Sequence, residues 1–145
     1  MKMKTVLSGS YRKHFNEMIQ LKKYFEKKGV EVLAPICNDV VNSEEEFVLL
    51  LKDPVVHPRI LQDSIFAKIR HSSFLVLCNF DGYLGNAAVF EMGYAVSLGI
   101  QILSLDRVDD PNLAAYCQPI CNVFDDFDMH NLVQSKARLV VDGDK

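Results

Sequence analysis

The stretch GNAAVFEMGYAVSLG, residues 85–99, carries a single carboxylate, Glu91, in a run that is otherwise uncharged. The run predicts a helix, and on a helix the residues three, four and seven positions from Glu91 share its face. These are Ala87, Ala88, Tyr94, Ala95 and Leu98, all apolar. A carboxylate there loses hydration unless a partner or ligand compensates, and the small Ala side chains leave room for one. Partial burial would raise its pKa, which suits an acid, a base or a nucleophile. The competing reading is a glutamate near a helix N-terminus, favoured by the dipole and pointing to water. A helix apolar on every side argues against it, because it must be covered on every side, by a sheet and then by a second subunit.

A second set lies in SGSYRK, residues 8–13, where Gly9 permits close backbone approach and Arg12 and Lys13 add positive charge. With free amides opening the helix that follows, Ser8, Gly9, Ser10, Tyr11 and Arg12 form a candidate anion site for a phosphate or carboxylate. An ordinary strand-to-helix turn with a solvated Arg12 gives the same residues. Asp63 sits on a predicted helix beside Leu61, Ile65 and Phe66, as a site carboxylate or a solvated one. Asp81 follows a predicted strand and precedes Gly82, as a site residue or a turn former. Gly82, Gly85 and Asn86 complete the loop that leads into the Glu91 helix. His57 is a further ligand-contact candidate, whereas His14, His71 and His130 read as surface residues. No Ser/His/Asp or Cys/His set has a recognisable spacing.

The elements that must position these residues alternate in type. KTVLSGS reads as a strand ending at a Gly turn, YRKHFNEMIQLKKYFEKKG as a helix stopped by Gly29, and VEVLAP as a strand closed by Pro35. Residues 37–58 read as a variable excursion with a short helix capped by Ser43 and Glu46 and interrupted by Pro54 and Pro58. RILQDSIFAKIRH is a predicted helix, SSFLVLCNF and IQILSLD are strands, PICNVF is a weaker fifth strand, and DFDMHNLVQSKARL is a closing helix. Continuous rather than alternating apolarity in the strands favours a parallel sheet between two helix layers. In such sheets ligands bind beyond the carboxyl ends of the strands, near the switch in strand order.

The 145 residues fit one domain, 1–145, and the net charge of −3 offers no general attraction to nucleic acid polymers. No segment reaches the roughly 18 apolar residues of a membrane span, and the first residues lack the apolar stretch of a leader, so a soluble cytoplasmic protein is expected. The four cysteines read as free thiols, without a zinc-like spacing, and no metal or cofactor signature is present.

GNAAVFEMGYAVSLGIQIL resembles the Gly-rich loop, Glu-x-Gly-x-Ala helix and strand of the nucleoside 2-deoxyribosyltransferase-like superfamily, which includes the 2′-deoxynucleoside 5′-phosphate N-hydrolases. VLSGSYR is similar to the first strand and Gly-Ser-x-Arg turn of the hydrolase branch, and SSFLVLCNF to its central strand. The resemblance spans roughly residues 4 to 106. It implies a flavodoxin-like sheet of about five strands, a homodimer or larger assembly, and cleavage of an N-glycosidic bond in a nucleoside or nucleoside 5′-monophosphate. Glu91 would be the nucleophile that holds the sugar covalently before it passes to water or another base. Gly9, Ser10 and Arg12 would contact a 5′-phosphate or the sugar, and Tyr94 would pack near the site. Where the transferase branch has an Asp six residues before the glutamate, this chain has Gly85. The other family Asp falls by count on Ile65, which leaves Asp63 and Asp81 as candidate acids. A non-catalytic nucleotide-binding module on the same scaffold is the alternative.

Overall fold

The computed structural model describes residues 2–36 and 57–132. Five strands alternate with helices: β1 (Lys4–Ser8), α1 (Tyr11–Lys27), β2 (Glu31–Ala34), α2 (Pro58–Arg70), β3 (Phe74–Leu77), α3 (Asn86–Ser97), β4 (Gln101–Ser104), α4 (Pro111–Ala114) and β5 (Cys117–Pro119). The sheet is parallel throughout, in the order β2-β1-β3-β4-β5, which makes the domain a flavodoxin-like α/β fold. Because β1 leads to β2 on one side and β3 leads to β4 on the other, the strand order reverses between β1 and β3. The crevice of a doubly wound sheet therefore opens beyond Ser8 and Leu77.

Apolar runs in the central strands are explained by a core on both faces. Leu7, Val76 and Leu103 pack with Met18, Leu21 and Phe25 of α1, while Val6, Leu75, Leu77 and Ile102 pack with Ile69 of α2 and Ala88, Met92 and Ala95 of α3. Since successive strand residues point to opposite faces, Ser8 faces the α2–α3 side, as Val6 does. Phe124, Phe127 and Met129 lie against the α1 face, where Asp126 accepts hydrogen bonds from Tyr24 and Lys28.

Two strand ends are stapled by one side chain. Asn79, 0% exposed, accepts through Oδ1 from the amides of Leu105 and Asp106 at 3.0 Å each and donates through Nδ2 to the Asp106 carbonyl at 2.9 Å. The loop after β3 is thereby tied to the loop after β4.

Some expectations shift. The fifth strand is Cys117–Pro119, and Ile120–Asn122 is a helical turn, so PICNVF is not the strand: Pro119 supplies no donor and ends the pairing. Pro58 opens α2 instead of interrupting it, because the first helical position needs no amide hydrogen. The excursion, including its Ser43–Glu46 cap, lies outside the described residues, as does the closing helix beyond residue 132; within it, helix begins at residue 129. Among the described residues no helix is long and apolar enough to cross a membrane. Replacing Asn79 with Ala is expected to lower the unfolding free energy by about 1–3 kcal/mol, read as a reduced urea midpoint at unchanged m-value.

Candidate active site

Glu91 lies in the middle of α3 and is 9% exposed. Ala88, Met92 and Ala95 beside it on the helix are buried against the sheet, and the Glu91 side chain lies on that side too. The Ser8 hydroxyl donates to Oε1 at 2.6 Å, and the Gln62 amide of α2 donates to Oε2 at 2.9 Å. One carboxylate thus joins the carboxyl end of β1 to both helices of that face. Burial pushes its pKa above the ordinary glutamate value, and the two hydrogen bonds from Ser8 and Gln62 oppose the rise.

The β1–α1 turn comes close to the end of β3. A Cβ on Gly9 would lie 2.8 Å from Cβ of Cys78, so this position admits no side chain without displacing its neighbour. The Cys78 amide donates to the Ser8 carbonyl at 2.7 Å, and burial together with the nearby Glu91 charge pushes the thiol pKa up and keeps it neutral. Ser10 caps α1 by accepting from the Lys13 amide at 3.1 Å. Tyr11 packs edge-on against Phe15, and Arg12 is exposed. Lys13 places its Nζ 4.0 Å from the centroid of the Tyr83 ring, which connects the turn to the loop after β3.

That loop contains Asp81 in the left-handed region at φ 56°, followed by Gly82 at φ 79°. Asp81 is exposed, Gly85 caps α3 from its backbone, and Asn86 begins the helix at the surface. The structure therefore brings Ser8 directly to Glu91 and sets Gly9 and Ser10 beside them in the chain. Asp63 points elsewhere: its side chain is 64% exposed and pairs with Arg59 at 3.9 Å. His57 caps α2 by accepting from the Arg59 amide. His14, expected at the surface, is half-buried against Phe80 and Tyr83, with its Nδ1 unpaired. Tyr94 stacks on Phe66 at 4.3 Å and accepts a hydrogen bond from the Arg70 guanidinium at 2.6 Å, a packing residue between α2 and α3.

Gln62 is the residue that the sequence reading passed over. It stands three and four positions before Ile65 and Phe66, hence on the buried face of α2, and that placement of a polar side chain was the available signal. A separate open concavity of about 350 Å³ at the ends of β4 and β5, lined by Ser104, Arg107, Ala114 and Cys117 among others, does not include Glu91. Its groups hold no comparable arrangement of a buried charge and donors.

No protein-family model matches the sequence, and no curated protein matches it. Among solved structures, the chain is similar to the Clostridium botulinum CMP N-glycosidase BcmB, with a TM-score of 0.53 and 13% identity over 81% of this chain and 86% of that one. The likeness is one of fold.

Glu91 ionises in a buried place, so its raised pKa carries a stability consequence. The folded state binds its proton more tightly than the unfolded chain does, and stability falls as pH rises from the ordinary glutamate value through the raised one. Glu91→Gln is therefore expected to melt at a higher temperature than wild type at pH 8, with the difference vanishing near pH 4.

Proposed function

We propose that the protein cleaves the N-glycosidic bond of a nucleoside 5′-monophosphate or nucleoside, with Glu91 as nucleophile. The observation that carries this is a buried carboxylate at the carboxyl edge of a parallel sheet, with both oxygens held by neutral donors. Such a group is oriented and poorly solvated, the two properties an attacking carboxylate needs. The fold likeness to a CMP N-glycosidase supports nucleoside monophosphates as the ligand class. The β1–α1 turn, with Gly9, Ser10, Tyr11 and Arg12, would receive the phosphate, and Gly82, Gly85 and Asn86 would border the sugar.

In the first step a Glu91 oxygen forms a bond to the anomeric carbon while the bond to the base breaks. The bonding pair goes to the base nitrogen, and the base takes a proton from an acid. We assign that acid to Asp81, on the loop beyond β3, since Asp63 is paired with Arg59 on the outer side of α2. In the second step water attacks the same carbon, Glu91 leaves as carboxylate and Asp81 regains a proton. A second base in place of water gives transfer.

The test is base release from deoxyribo- and ribonucleosides, their 5′-monophosphates and NAD, with wild type beside Glu91→Gln and Asp81→Asn. Release from a monophosphate should fall about a thousandfold or more in Glu91→Gln. Asp81→Asn should slow it about a hundredfold without disturbing the turn, because Asn tolerates the left-handed conformation. A new nucleoside formed only with added free base identifies a transferase. Unchanged activity in Glu91→Ala would sink the proposal. The outward placement of Asp63 favours a second reading, a nucleotide-binding module without turnover. It predicts nucleotide binding that survives Glu91→Gln, with no base released by wild type.

We further propose a homodimer formed through α3. Phe90 is 60% exposed and lies on a stripe with the exposed small residues Ala87, Gly93 and Ser97, a surface suited to a second helix. Sedimentation equilibrium should give twice the monomer mass for wild type and the monomer mass for Phe90→Lys. A monomeric wild type at high concentration would refute the assignment.

A further inference from the structure

Resting on the reading of Glu91 as the attacking carboxylate, we propose that Gln62 is a positioning residue, whose amide fixes the Glu91 side chain and holds it as an anion. The geometry supplies the reason. A carboxylate tethered through one oxygen can still turn about its last torsion, which is broad for glutamate. Donors from two elements, Ser8 on β1 to Oε1 and Gln62 on α2 to Oε2, fix the plane of the group.

The identity of the donor matters as much as its position. Gln62 and Asp63 are neighbours on α2, yet the amide faces Glu91 and the carboxylate faces Arg59. Two carboxylates within hydrogen-bond distance would share a proton, and Glu91 would then be partly occupied as an acid at neutral pH. An amide donates a hydrogen bond and cannot ionise. The helix register that selects Gln62 is set one turn away, where Phe66 stacks on Tyr94 and meets Phe90 edge-on at 5.1 Å. From β1 the group facing Glu91 is Ser8, from α2 it is Gln62, and the titratable group from the end of β3 is the Cys78 thiol, neutral through burial. The amide thus acts on a carboxylate that burial alone would drive toward its protonated form.

The experiment follows Glu91 directly. In protein labelled with ¹³C at the glutamate side-chain carboxyl, the Glu91 signal is assigned by its loss in Glu91→Gln and titrated in wild type, Gln62→Met and Gln62→Glu. The midpoint should rise by about one pH unit in Gln62→Met and further in Gln62→Glu, where two acids share a proton. The acidic limb of kcat/KM should move by the same amount. At a pH below the shifted limb kcat should fall about tenfold while KM stays within about twofold, since Gln62 touches Glu91. A Glu91 midpoint unmoved in both variants overturns the inference, even if wild type cleaves nucleotides. A midpoint that moves in a protein releasing no base leaves the Gln62–Glu91 coupling standing and removes the cleavage reading. If Gln62→Met does not fold, Gln62→Glu decides, because it removes the amide donor and adds a second acid beside Glu91, and an unmoved midpoint in it overturns the inference.

Discussion

A carboxylate buried against the edge of a sheet is costly unless its oxygens are occupied, and the arrangement around Glu91 follows from meeting that condition. Ser8 must end β1 on the face shared with α2 and α3, which requires Val6 to point to that core and Leu7 to the core against α1. Helix α2 must present residue 62 toward α3, which the aromatic contacts of Phe66 with Tyr94 and Phe90 enforce. The three elements come from distant parts of the chain, so the carboxylate also records that they are assembled in the right register. A slip of one residue in β1 would turn Ser8 to the other face and leave Glu91 without its shortest bond.

Much of this was legible in the residue types. Strand and helix alternation, the unbroken apolarity of FLVL and the stop at Gly29 all have local causes, and the structure follows them closely. Glu91 stood out because every neighbour on its helical face is apolar, a contrast that survives without knowledge of the fold. Gln62 did not stand out. Its partner is 29 positions away, and an amide next to an aspartate draws attention to the aspartate. Whether residue 62 or 63 faces inward depends on a helix rotation of about 100° per residue, and the sequence marks that rotation only through Ile65, Phe66 and Ile69. The fifth strand was misplaced for a related reason. At the sheet edge only three residues pair, too few for periodicity to distinguish them from the helical turn that follows.

The electrostatic character of the region is set by neutral groups around one charge. A hydroxyl and an amide hold Glu91, with a neutral thiol nearby, whereas the ion pairs between Lys28 and Asp126, Arg59 and Asp63, and Arg107 and Asp109 lie at the surface. Surface pairs of this kind contribute little to stability and are screened by salt. The charge that burial isolates from salt is Glu91 itself.

The missing side chain at residue 9 has a further consequence. With the turn after β1 pressed against Cys78, the floor of the crevice has no room for a side chain at residue 9, which would meet the Cys78 Cβ and carbonyl and the Met18 sulfur. A family of variants could not widen or narrow that floor by exchanging side chains there. Adaptation to a larger or smaller ligand would have to come from the rim, where Tyr83 can change size without moving a strand. The floor is in this sense a fixed reference surface, and in the proposed site ligand preference would be a property of the segments that project above it.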